Sequence, residues 1–93
     1  MNLGKVVVTR GVADSAAENP EFATFVVNSL SRYIRGDWGD LDMEDKEANE
    51  AAMNGGDARI LAAYNCPFDP NYKIWIITEW DRSSTTILFP DEY

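Results

Sequence analysis

The chain has 93 residues, of which 45% are hydrophobic and 12% aromatic, and this size and composition predict one domain with a buried core. Sixteen acidic residues against eight basic ones give a net charge of −8, so the electrostatic field opposes binding to nucleic acid and to anionic membranes. We therefore expect direct contact with neither. A partner protein with a basic surface suits this charge instead.

Residue types that support common catalytic and metal sites are missing or scarce. Without histidine, the chain lacks an imidazole base, a serine-histidine triad and the usual zinc ligands. A single cysteine, Cys66, excludes an internal disulfide and a thiolate metal cluster. The acidic stretch from Asp40 to Ala51 alternates like calcium ligands but lacks the central Gly and the final Glu of an EF-hand loop. We predict no enzymatic activity, no catalytic residue, no metal and no cofactor.

The N-terminal residues are expected to begin the fold. Their apolar run is only three valines long, too short for a signal peptide or a membrane span, so we expect a cytoplasmic protein. The β-branched stretch from Lys5 to Thr9 lies between two glycines and predicts a first strand. The small and polar residues 13–20, ADSAAENP, predict a loop.

The strongest pattern in the sequence is an amphipathic helix that begins after Asn19. Asn19 is a favourable N-cap, Pro20 suits the first helical position and Glu21 faces the positive end of the helix dipole. Apolar residues then recur at steps of three and four, and these are Phe22, Phe25, Val26, Leu30, Tyr33 and Ile34. Gly36 follows two arginines and predicts the end of the helix.

A second helix and three strands are expected in the rest of the chain. Asp40 or Asp42 can cap a helix with a thin apolar stripe, which runs to about Met53 and ends at residues 54–56, Asn-Gly-Gly. Short connections then separate three strands of an antiparallel meander, at Ala58 to Tyr64, Lys73 to Glu79 and Thr85 to Phe89. The expected fold is one α+β domain, residues 1–93, in the order β-α-α-β-β-β, with two helices packed on one sheet face.

The predicted strand KIWIITE is apolar on both sides, which indicates a central strand with both faces covered. Two helices cover only one face. The other face, with Trp75, Ile77 and, in the next strand, Ile87 and Phe89, then needs loops or a second copy of the chain to cover it. A homodimer joined through this sheet face is one expectation.

The stretch GDWGDLDMEDKEANE, from Gly36 to Glu50, holds seven carboxylates and one lysine, and so carries net −6 of the total −8. Part of this pattern has a structural explanation, since acids near a helix N-terminus stabilise its dipole and Trp38 can pack between the helices. The excess charge opposes folding, so we also expect a use in binding, as an imitation of phosphates that occupies the Lys/Arg-lined groove of a nucleic-acid enzyme. The candidate partner-binding residues are Asp37, Trp38, Asp40, Asp42, Asp45, Glu47 and Glu50.

A second candidate surface is the turn EWDRSS between the last two strands. Trp80 lies at the expected hairpin tip beside Asp81 and Arg82, and exposed tryptophan and arginine are typical of protein-binding hot spots. Turn tips also carry such residues for packing. Trp80 and Arg82 join the candidate partner-binding residues.

Three segments, GDWGDLDMEDKEANE, GGDARILAAY and KIWIITEWDRSSTTILFPDEY, resemble a family of small acidic proteins from phages and other mobile elements of Gram-positive bacteria, loosely labelled plasmid-related or restriction-associated. The likeness runs from Val8 to Tyr93 and carries no functional residue with it. It implies a non-enzymatic inhibitor of a host defence protein such as a CRISPR or restriction effector. The alternative is a regulatory or housekeeping homodimer of the mobile element with no inhibitory role.

Overall fold

The computed structural model describes residues 2–55 and 58–93, which form four strands and three helices. In chain order these are β1 (Lys5–Val8), α1 (Arg10–Glu18), α2 (Pro20–Ile34), α3 (Met43–Gly55), β2 (Ile60–Asn65), β3 (Lys73–Thr78) and β4 (Ser84–Leu88), followed by a 3-10 turn at Pro90–Glu92. The four predicted strands and both predicted helices are confirmed, with small shifts at their ends. Gly56, predicted at the end of the second helix, lies outside the described residues.

The four strands form one mixed sheet in the order β1-β4-β3-β2. The predicted meander is confirmed, since β2 pairs with β3 and β3 with β4 in antiparallel register. β1 joins the sheet in parallel with β4, so that Lys5 lies opposite Ser84 and Val8 opposite Ile87. The chain between β1 and the meander contains all three helices, which provide the long crossover that parallel pairing requires. β1 and β2 are therefore the two edge strands.

Residues 13–20 belong mostly to helix α1, so the predicted loop was wrong and the fold has a third helix. The Thr9 hydroxyl caps this helix and accepts from the N–H of Val12 at 3.5 Å. Three alanines between Val12 and Glu18 favour the helical conformation. The sequence misleads at this point because Val12 and Ala16 alone reach the core from α1, which leaves no continuous apolar stripe.

Helix α2 begins and ends where the sequence predicts. The Asn19 side chain accepts from the N–H of Phe22 at 3.3 Å, as an N-cap should. At the other end, Gly36 adopts a φ of +81°, and the N–H of Asp37 donates to the carbonyl of Arg32. This Schellman arrangement stops the helix and directs the chain toward the β2 edge of the sheet.

The core lies between α2 and one face of the sheet. The strands contribute Ile60, Ala62, Tyr64, Ile74, Ile76 and Ile87. Helix α2 contributes Phe22, Phe25, Val26 and Tyr33, all buried. Its stripe is narrower than predicted, because Leu30 is half-buried and Ile34 is 56% exposed. At one end of the core the Phe22 ring lies 5.1 Å from that of Tyr72 and 5.7 Å from that of Phe89, which was predicted on the opposite face.

The outer face of the sheet differs from the expectation. Trp75 and Ile77 lie there, but the pairing of β4 with β3 turns Ile87 toward the helices. The C-terminal Tyr93 crosses this face, with its ring 5.8 Å from that of Trp75 and its hydroxyl hydrogen-bonded to Arg59. Ile77 is only 3% exposed, so this face presents less apolar surface to a second copy than the sequence suggests.

A chain of buried hydroxyl groups joins α2 to β3 and β4. The Tyr33 hydroxyl lies 2.6 Å from that of Thr78, which lies 2.8 Å from that of Thr85. Thr85 donates to the carbonyl of Leu3 at 2.7 Å, and a carbonyl can only accept. Because each hydroxyl has one proton, Thr85 must accept from Thr78, and Thr78 must accept from Tyr33. The Tyr33 proton therefore starts the chain.

We expect the folded protein to lose stability as the pH rises from 10 to about 12. Burial raises the pKa of Tyr33 from 10.0 to about 12, so the unfolded chain releases this proton at a lower pH than the folded chain does. The contribution to stability is complete below pH 10 and is lost as the pH approaches 12. Urea unfolding at a series of alkaline pH values measures this decline.

Tyr33→Phe should flatten the alkaline decline and lower the free energy of unfolding at neutral pH by about 1 to 3 kcal/mol, since Thr78 loses its donor. Part of the alkaline loss of stability should remain in this variant, because burial also raises the pKa of Tyr64. Tyr72→Phe is the matched control for the loss of a tyrosine hydroxyl and should leave the free energy of unfolding at neutral pH close to that of the unchanged protein, since the ring keeps its packing against Phe22. An unchanged decline in Tyr33→Phe would show that the raised pKa of Tyr33 is not the cause of the alkaline loss of stability.

Candidate partner-binding surface

The acidic segment, defined as Gly36–Glu50, runs along the outer edge of β2. Gly39 forms a parallel bridge with Ala63 of that strand. Gly39 adopts a φ of +79°, and a Cβ atom at this position would collide with the Ala63 carbonyl and the Tyr64 ring. Helix α3 follows the same edge and reaches the core through Ala52. Thus α2 covers the sheet face, whereas α3 packs at the edge.

Asp37, a predicted binding residue, is held by contacts within the molecule. Its carboxylate accepts from the Arg32 guanidinium at 2.7 and 3.2 Å and from the N–H of Gly39 at 3.1 Å. Its carbonyl accepts from the Tyr64 hydroxyl at 2.7 Å. These hydrogen bonds to the carboxylate, above all those from Arg32, lower the pKa of Asp37. The molecule's own arginine therefore balances this charge.

Asp40 and Asn49 close the outer edge of β2. The Asn49 side chain donates to the carbonyl of Leu61 at 2.7 Å and accepts from the N–H of the same residue at 3.2 Å. The N–H of Asp40 donates to the carbonyl of Ala63 at 2.7 Å, and its carboxylate accepts from the N–H of Asn65 at 2.9 Å. Leu61, Ala63 and Asn65 direct their backbone groups away from β3. The acidic segment thus bonds an edge that would otherwise be open.

Trp38 is a core residue in the structure. It is 3% exposed, and its ring packs edge-on against that of Tyr33 with 5.4 Å between centroids. The indole N–H donates to the Glu50 carboxylate at 2.9 Å. This agrees with the structural explanation of Trp38, and it gives Glu50 an internal contact as well.

The start of α3 divides the remaining acids into a cap and an exposed group. The Asp42 carboxylate accepts from the N–H of Asp45 at 2.8 Å and caps the helix. Glu44, Asp45 and Glu47 are exposed, and no cation among the described residues lies within ion-pair distance of them. The helical spacing places Asp45 on the side of Asn49, which faces β2, and turns Glu44 and Glu47 away from that side. These two glutamates form the outward face of the helix.

In the turn between β3 and β4, Trp80 is exposed and Arg82 is hydrogen-bonded within the molecule. The Trp80 side chain is 63% exposed. The Arg82 guanidinium donates to backbone carbonyls, among them those of Ala58 at 2.7 Å and of Ala52, in the last turns of α3, at 2.9 Å. These hydrogen bonds hold the turn against the C-terminal part of α3. The turn that carries Trp80 consequently lies near the end of the helix whose start carries the exposed acids.

An open groove that the sequence did not indicate lies beside the acidic segment. It has a volume of about 580 Å³ and separates α2 from the loop between β2 and β3. Its apolar wall includes Phe25, Cys66 and Phe68, and Arg32 and Asp40 border it. Phe68 is 44% exposed, whereas Cys66 is buried. The one sequence signal for this groove is a phenylalanine in the loop NCPFDPN, outside every predicted strand.

Within residues 2–55 and 58–93, no group of three or more His, Cys, Asp and Glu side chains is placed to hold a metal ion. No helix in these ranges is long and apolar enough to cross a membrane. Protein-family models, curated proteins and solved structures gave no match to the chain. The resemblance to proteins of mobile elements therefore stays a prediction.

We expect Asn49→Ala to lower the free energy of unfolding by about 1 to 3 kcal/mol, because the N–H and carbonyl of Leu61 lose their partners at a partly buried site. The variant should also aggregate more readily, since an open strand edge pairs with other chains. Urea unfolding and light scattering measure the two effects.

Asn54→Ala is the matched control, because it makes the same chemical change at an exposed position of the same helix. It should leave stability and aggregation close to those of the unchanged protein. Equal losses in Asn49→Ala and Asn54→Ala would show that the contact with Leu61 does not hold the edge.

Proposed function

We propose that the protein is a non-enzymatic inhibitor that binds a basic surface of a nucleic-acid-binding defence enzyme in the cytoplasm of a bacterial host. The docking surface in this proposal consists of Glu44 and Glu47 on the outward face of α3 and Trp80 near the end of that helix. The observation that carries the proposal is the 63% exposure of Trp80 beside a helix whose outward carboxylates pair with no cation among the described residues.

The docking surface combines two features that protein interfaces use. An exposed tryptophan buries a large area when it enters a pocket of a partner, and tryptophan is enriched in hot spots. The carboxylates at the start of α3 attract a cationic surface and raise the rate of association. Four of the acids predicted to bind a partner have contacts within the fold, and these are Asp37, Asp40, Asp42 and Glu50. The carboxylates proposed to imitate phosphates are therefore only those on the outward side of α3.

The inhibitory role and the type of target come from the family resemblance. Restriction and CRISPR effectors bind nucleic acid in grooves lined with lysine and arginine. An acidic protein seated in such a groove excludes the nucleic acid by charge and by volume. Inhibition of this kind needs no catalytic group, cofactor or metal from the inhibitor. An inhibitory role of this kind therefore suits a chain that has no histidine to act as a catalytic base.

Trp80→Ser is expected to raise the Kd for the target by about thirtyfold or more, since a hot-spot tryptophan contributes about 2 kcal/mol or more. Glu44→Gln with Glu47→Gln should slow association and reduce its dependence on salt, because the outward charge of α3 falls. The first step is affinity capture, at low and high salt, from a bacterium that carries restriction and CRISPR systems. Binding and nuclease inhibition are then measured with each captured enzyme.

Glu18→Gln with Asp91→Asn is the matched control for charge, because it removes two negative charges from exposed positions outside α3. This pair should leave binding and inhibition unchanged. Equal effects of the two double variants would show that net charge alone governs binding. Capture that depends on neither Trp80 nor the α3 acids would overturn the proposal, as would binding without inhibition.

A further inference from the structure

The two edges of the sheet differ in how their backbone groups are bonded. The outer edge of β2 is closed by Asp40 and Asn49. β1 is the other edge strand, and no strand among the described residues pairs with its outer side. An edge strand with free N–H and carbonyl groups is a template for pairing with another chain. The outer side of β1 is therefore the edge of this sheet at which another strand can pair.

Val6 and Val8 are the residues of β1 that present backbone groups to another strand. The N–H of Lys5 donates to the carbonyl of Ser83, just before β4, at 3.1 Å, and the N–H of Thr9 donates to that of Ile87 at 3.0 Å. The direction of the backbone groups alternates along a strand, so Val7 also faces β4. Val6 and Val8 therefore point their N–H and carbonyl groups away from the sheet.

The side chains of Val6 and Val8 are apolar and accessible. Both pair with core-facing residues of β4, so they lie on the helix side of the sheet, where they are 43% and 46% exposed. On α2, the flank turned away from the groove carries Val27 and Ile34, which are 63% and 56% exposed. These two residues add exposed apolar surface on the helix side of the sheet.

We propose that β1 is a homodimer interface, at which two copies pair their β1 strands in antiparallel orientation about a twofold axis. With the axis at Val7, Val6 of each copy lies opposite Val8 of the other, and each such pair exchanges N–H to carbonyl bonds. The pairing adds about four backbone hydrogen bonds and brings valine side chains of the two copies together on the helix side. The two four-stranded sheets become one continuous sheet.

The distribution of charge favours a second copy at this edge. A net charge of −8 opposes association in general, but net −6 of it belongs to the acidic segment at the opposite edge of the sheet. At about 4.8 Å per strand, the two β2 strands of the joined sheet lie roughly 34 Å apart, several times the Debye length of about 8 Å. The charged residue of β1 is Lys5, and the carboxylate beside the end of the strand, that of Glu92, accepts hydrogen bonds from the Thr9 hydroxyl and the N–H of Gly11. A strand from a basic partner would therefore meet a positive side chain and a carboxylate already bonded within the fold.

The homodimer does not rest on the proposed inhibitor function. The proposed dimer forms through the β1 edge, whereas the sequence indicated the outer face of the sheet as the surface for self-association. In the joined sheet, the docking surfaces on α3 lie at the two far ends and stay accessible. A dimer would therefore present two copies of the docking surface to a target.

The test begins with sedimentation equilibrium over a wide range of protein concentration, at low and high salt. We expect a dimer of twice 10.4 kDa whose affinity increases with salt, because salt screens the repulsion between two acidic copies. Amide hydrogen exchange by NMR then locates the interface. The N–H groups of Val6 and Val8 should exchange slowly in the dimer and fast after dilution, whereas that of Val7 should stay protected in both.

Val6→Lys with Val8→Lys should raise the dimer dissociation constant by about tenfold or more, because like charges then lie directly opposite each other. Met43→Lys with Ala48→Lys is the matched control, since it makes the same change in charge at exposed positions of α3. That control should leave the dimer intact or strengthen it. Near-ultraviolet circular dichroism verifies that each variant keeps the native fold.

Several results would overturn the homodimer. One is a monomer at every concentration, and another is a dimer in which the Val6 and Val8 N–H groups still exchange fast. Equal weakening by the two lysine pairs also counts against it. Protection of Val6 and Val8 only after a different protein is added would assign the edge to a foreign strand. None of these results changes the expected effect of Trp80→Ser, so the two proposals fail separately.

Discussion

Closure of the β2 edge by the acidic segment is the contact on which the rest of this structure depends. Backbone groups at a strand edge need hydrogen-bond partners, and Asp40 and Asn49 provide them from within the chain. The same contact places α3 beside the sheet and buries Trp38 against Tyr33. It completes the core on the side that α2 leaves uncovered. Gly39 is needed there because only a residue without a side chain permits so close an approach to β2.

The high density of negative charge is compatible with folding because several carboxylates act as hydrogen-bond acceptors. Asp37 accepts from Arg32, Asp40 from the backbone of β2, and Asp42 from the first turn of α3. Such charge-assisted hydrogen bonds are stronger than neutral ones and offset part of the mutual repulsion. One side of the segment therefore serves the fold. The opposite side, with Glu44 and Glu47, remains for the partner in the proposed function.

The two edges of the sheet differ in charge and in the bonding of their backbone groups. At the β2 edge, charge is concentrated and the backbone is bonded, so a contact there involves side chains. At the β1 edge, valines are exposed and the backbone of Val6 and Val8 is open, so a contact there involves strand pairing. The inhibitor and homodimer proposals use these two edges separately. Both follow from the position of β1 next to β4, since this position leaves β2 and β1 as the edges.

The sequence by itself determined α2 and the meander, because caps such as Asn19, apolar periodicity and short connections act between residues close in the chain. It also indicated the acidic stretch and Trp80, but not which carboxylates point outward, and it missed α1, whose core contacts are too few to form a stripe. Only the tertiary structure decided the parallel pairing of β1 and the role of Asn49, which bonds Leu61 twelve positions away. Such contacts join distant residues, and no local pattern in the chain specifies them.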